Sequence, residues 1–70
     1  MIYKEKVTRM YKNASIWIMN PNGMVPLYYV QRWRNSKNFE ILARRHKTED
    51  AAWEAAWNYI QKKMLSILET

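Results

Sequence analysis

Hydrophobic positions follow two rhythms along this chain. From residue 48 onward they recur at helical spacing. Trp53, Ala56, Trp57, Ile60, Met64, Ile67 and Leu68 fall on one side of a helical turn, and Ala55, Asn58, Lys62, Ser66 and Glu69 on the other. The pattern predicts an amphipathic helix over about residues 49–68. Thr48 suits the N-cap, and Glu49 and Asp50 occupy the first turn, where unpaired amides favour carboxylates; Lys62 and Lys63 lie nearer the opposite end. Such a helix runs about 30 Å, whereas a six-residue strand covers roughly 20 Å. Its last turns should therefore overhang a sheet, and need cover from Ile2 and Tyr3 or from a second subunit.

Upstream, short β-branched and aromatic blocks alternate with turn residues. Residues 2–11 hold Ile2, Tyr3, Val7, Met10 and Tyr11 among charges, followed by 14–19 (ASIWIM), 25–33 and 39–46; together they predict three or four strands. Asn20-Pro21-Asn22-Gly23 reads as a hairpin turn, with Gly23 accepting a left-handed conformation. Asn35-Ser36-Lys37-Asn38 reads as a second turn. The expected fold is α+β: an antiparallel β-meander over about residues 2–46, with one C-terminal α-helix packed on one face, in a single domain spanning residues 1–70.

The last hairpin constrains its own register. A loop of three or five residues pairs Trp33 with Phe39, Gln31 with Ile41 and Tyr29 with Ala43. Leu27, Tyr29, Trp33, Phe39, Ile41 and Ala43 then share one face, expected to be the core. Tyr28, Val30, Arg32, Arg34, Glu40, Leu42, Arg44 and His46 share the other, expected to be open. In the first hairpin, a three-residue loop places Trp17 on the core face, and a bulge places Ile16 and Ile18 there instead.

Composition narrows the function classes. Seventy residues without cysteine must build a core from large side chains, and the chain supplies four tryptophans, five tyrosines and Phe39. The absence of cysteine suggests a cytoplasmic setting. No apolar run is long enough for a membrane span, and Met1 to Lys6 has no apolar segment of the secretory type. His46 is the only histidine, Ser15, Ser36 and Ser66 sit in no nucleophile motif, and Gly23 alone cannot cradle a phosphate. With no metal-ligand spacing either, no catalysis, cofactor or metal is expected.

Charge points elsewhere. Residues 1–47 hold ten basic and two acidic residues, a balance of +8, and residues 48–70 hold two basic and four acidic, a balance of −2. A basic sheet backed by an acidic helix suggests a polyanionic partner. Arg32, Arg34 and Arg44 are candidate phosphate or base-edge contacts, with Arg9, Lys12 and Lys37 as further phosphate contacts and Tyr28 packing on sugar or base. Double-stranded DNA is expected before RNA. Two alternatives remain open: a small phage or mobile-element protein that binds and inhibits an acidic host protein, and a structural homodimer sealed by Met64, Leu65 and Leu68.

Ser15–Met19 followed by the Asn20–Gly23 turn, the next strand, and the helix start Thr48-Glu49-Asp50-Ala51-Ala52-Trp53 carry a resemblance. From about Val7 to Ile60 the order resembles the DNA-binding domains of plant AP2 factors and the arm-binding region of phage-type integrases. The resemblance implies a three-stranded sheet lying in the major groove with a helix behind it. It assigns DNA contact to Arg9 and to Trp17 or its neighbours, in a small regulator rather than a recombinase.

Overall fold

The computed structural model describes residues 2–20, 23 and 25–69, except the side chains of 68 and 69. Its elements are α1 (Ile2–Met10), β1 (Ala14–Met19), β2 (Leu27–Trp33), β3 (Phe39–His46) and α2 (Glu49–Glu69). The strands form an antiparallel meander in the order β1-β2-β3, and both helices pack on one side of it. The α+β meander with a C-terminal helix is thus as the sequence predicts. Among the described residues no helix is long and apolar enough to cross a membrane.

The α2 start follows the capping argument: Thr48 Oγ1 accepts the Ala51 N–H at 3.1 Å. The turn before β2 is also as expected, with Gly23 at φ 65° and its N–H donating to the Asn20 carbonyl at 3.3 Å. Pro21 and Asn22 lie outside the described residues. β2 begins at Leu27 rather than Val25. Pro26 has no N–H to offer a ladder, so it ends the loop instead of extending the strand.

The expected strand over residues 2–11 is corrected to a helix. Tyr3, Val7 and Tyr11 are four residues apart, so a helical course brings all three to the core, whereas a strand would carry Glu5 and Arg9 there with them. A nine-residue helix is marginal alone, and packing sustains it. Val7 is fully buried, and the Lys6 ammonium sits over the rings of Tyr3 and Trp57 at 5.5 and 5.6 Å. Ile2 and Tyr3 lie beside Asp50 and Glu54 in the first turns of α2. The N-terminal segment therefore does not cover the far end of α2, where Met64, Leu65 and Ile67 stay largely exposed.

The second correction concerns which sheet face is covered. Trp33 pairs with Phe39 and Gln31 with Ile41 across a five-residue loop, as the register argument requires. Yet the helices lie on the face of Ala14, Ile16, Tyr28, Val30 and Leu42, not on that of Leu27, Tyr29, Trp33 and Phe39. A β-bulge contributes: Ala43, rather than Leu42 alone, comes opposite Val30, and both Leu42 and Ala43 are buried. Of the expected core set, only Ala43 is buried. A second irregularity between Tyr28 and Val30 coincides with Arg45 at φ 55°. Ala52, Trp53, Ala56 and Ile60 of α2 share one buried core with Val30, Leu42 and Ala43 of the sheet, and the two alanines suit a close approach of helix to sheet. Among the described residues the buried Trp53 indole N–H has no hydrogen-bond partner, a penalty of about 1–3 kcal/mol. Burying the roughly 150–250 Å² of an aromatic side chain contributes about 4–6 kcal/mol and outweighs it.

Candidate nucleic-acid interface

Strand alternation puts Ser15, Trp17 and Met19 of β1, Leu27, Tyr29, Gln31 and Trp33 of β2, and Phe39 and Ile41 of β3 on the side away from the helices. Among the described residues no element covers them. Trp17, Met19, Trp33 and Phe39 are 51, 54, 42 and 51% exposed, so large apolar side chains meet solvent together on this face. Two aromatic stations stand on it. At one, Trp17 is directly opposite Tyr29. Its indole N–H donates to Ser15 Oγ at 3.0 Å, which ties the ring down along β1. At the other, Trp33 and Phe39 meet edge to face with centroids 5.5 Å apart. Gln31, half-buried between Ser15 and Ile41, separates the stations.

A concavity of about 540 Å³ opens beside Trp33, lined by Asn13, Asn35 and Ser36. Asn35 shapes this end of the sheet: its Oδ1 accepts the Lys37 and Asn38 N–H groups at 2.8 and 2.9 Å.

The sequence-predicted contacts divide into two sets. Arg34 and Lys37 are exposed in the β2–β3 loop, Lys12 is exposed in the turn before β1, and Arg44 is exposed near the end of β3. Arg9 is exposed on α1, in the helix layer. Arg32 and Tyr28 are on the covered face, so their assignment to an open basic face is corrected. Tyr28 packs against the core opposite His46. Arg32 Nε donates to Glu40 Oε1 at 2.9 Å, and its guanidinium lies 3.8 Å from the centre of the Tyr11 ring.

Glu40 binds two further donors, Tyr59 Oη at 2.6 Å and Lys63 Nζ at 2.9 Å. Burial, the largest single influence, pushes its carboxyl up; the hydrogen bonds from Tyr59, Lys63 and Arg32 and the Lys63 charge outweigh it and bring the pKa from 4.5 down to about 2. The same bond to Glu40 raises the Tyr59 phenol above its ordinary value. A carboxylate saturated with donors and ionised at neutral pH neither gives nor takes a proton there. The cluster is a clamp between β2, β3 and α2. Among the described residues no group of three His, Asp or Glu is placed to hold a metal ion.

Charge is distributed by layer. The two helices carry five acids and five bases, and Arg32 offsets Glu40. The whole net charge of +6 therefore rests on Lys12, Arg34, Lys37, Arg44, Arg45 and Lys47, all exposed in the strands and connecting segments. Ala14 pairs with Arg32, so Lys12 stands at the same end of the sheet as Arg34 and Lys37, while Arg44, Arg45 and Lys47 stand at the other. Sequence reasoning missed Trp17, Tyr29, Gln31, Trp33 and Phe39 as one exposed surface. Their strand alternation signalled a shared face but not which face the helices would leave bare. No protein-family model matches this chain, and no curated protein or solved structure matches it.

Proposed function

We propose that this chain is a non-enzymatic nucleic-acid-binding module of the cytoplasm whose contact surface is the open sheet face. The observation that carries the reading is the coincidence of an uncovered aromatic face with cations at both of its ends and no acid on it. Aromatic faces hold bases, and flanking arginine and lysine hold phosphates. The roles first given to Arg32 and Tyr28 pass to Trp17, Tyr29, Trp33 and Phe39, while Arg34, Lys37 and Arg44 keep theirs. Fluorescence anisotropy of labelled oligonucleotides, titrated from low to physiological salt, tests the reading. Binding should weaken steeply with salt, and Trp17→Ala with Trp33→Ala should remove most of it. An absence of binding to any nucleic acid at low salt would refute it and leave the face to an acidic protein partner.

A second reading rests on a separate observation, the exposure of Met64 and Leu65 at the far end of α2. It makes this end a contact between two copies. The Leu68 side chain lies outside the described residues. Leu65→Glu should then halve the mass measured by light scattering; a wild-type protein that is already monomeric excludes it.

A further inference from the structure

Resting on that reading, we infer that the ligand of the open face is a single-stranded nucleic acid, held by bases stacked on Trp17 and Trp33, and not a duplex. A duplex offers base edges in its grooves and hides base faces against neighbours roughly 3.4 Å away along the strand. A surface that reads edges carries several arginine, lysine, asparagine or glutamine side chains at its centre. Here the centre is aromatic and aliphatic, with Gln31 its one long polar side chain, and Arg32 is withdrawn beneath the sheet. The two stations, Trp17 with Tyr29 and Trp33 with Phe39, are four β2 residues apart, about 13 Å along the strand at roughly 3.3 Å per residue. Bases can reach both only when they are unstacked from one another, the condition of a single strand.

Three further features fit such a ligand. The Ser15 hydroxyl holds the Trp17 indole down along β1, so the platform is set before a base arrives. The concavity beside Trp33 places the Asn13 amide and the Asn35 NH2 group next to a ring that can hold a base, where they can meet its hydrogen-bonding edge. The cations stand at the two ends of the strands, so a backbone running along β2 meets phosphate contacts at entry and exit.

The test uses the full chain and three labelled probes of one mixed sequence: a DNA single strand, the matching RNA strand and the DNA duplex. Each is titrated against wild type, Trp17→Ala, Trp33→Ala and Trp17→Tyr, which keeps an aromatic face, with circular dichroism to establish that every variant is folded. At least one single strand should bind roughly tenfold or more tightly than the duplex. Each alanine variant should weaken that binding by roughly five- to a hundredfold, and Trp17→Tyr by less than about threefold. A duplex bound as tightly as the strands, with the same losses in the alanine variants, would overturn the single-strand inference and leave the face assignment standing. Binding that the alanine variants do not alter would overturn the face assignment itself. No binding to any probe at low salt would overturn both, as would a sheet-to-sheet dimer that the alanine variants dissociate.

Discussion

Glu40 decides the local chemistry of the covered face. Its carboxylate draws Arg32 beneath the sheet and fastens α2 through Tyr59 and Lys63. Its folded pKa of about 2 is below the unfolded value of 4.5. The clamp thus contributes stability that is complete above about pH 4.5 and is lost as the pH falls towards about 2. Glu40→Gln should destabilise the fold by about 2 kcal/mol at neutral pH and flatten the pH dependence of urea unfolding across that window. Tyr59→Phe removes one donor, so acid unfolding should begin at a higher pH, read by circular dichroism. Arg45 offers the opposite case: at φ 55° its Cβ is strained, and Arg45→Gly should raise the melting temperature by the equivalent of up to about 1 kcal/mol.

At the level of elements, α1 and the bulged β3 are where structure departs from the sequence reading. Val7 is fully buried where α1 packs onto the core, so Val7→Ala should cost about 2 kcal/mol in urea unfolding. A strand with Val7 turned to solvent would lose almost nothing. The α2 start, the glycine turn and the Trp33–Phe39 register were legible because each is set by neighbours in sequence: a threonine cap, a left-handed position, an odd loop. The face that α2 covers was not legible, because it is the less apolar of the two and carries Arg32 and Glu40. Burying Arg32 looks prohibitive until Glu40 and the Tyr11 ring are seen to receive it, and Glu40 is itself held by Tyr59 and Lys63 from a helix far along the chain. The bulge at Leu42 and Ala43 leaves no mark in a two-residue alternation. The same inversion turned the most apolar surface from presumed core into candidate site, so the residues were in view while their role was hidden.

For the whole molecule, the layered charge makes a quantitative prediction. If a single strand is bound with phosphates on both sets of cations, each neutralised phosphate contributes about 0.7 to the slope of log affinity against log salt. Arg34→Gln with Lys37→Gln should then lower that slope by about 1.4, without changing the dependence on Trp17. The arrangement also acts before any contact is made. With a neutral helix layer behind and six positive charges in the strands and loops, the molecule carries a permanent electric dipole across its thickness. In the field of a polyanion it experiences a torque that rotates the sheet side forward over about a Debye length, roughly 8 Å at physiological salt. Encounters are thereby pre-oriented, and raising the ionic strength should slow association before it hastens dissociation.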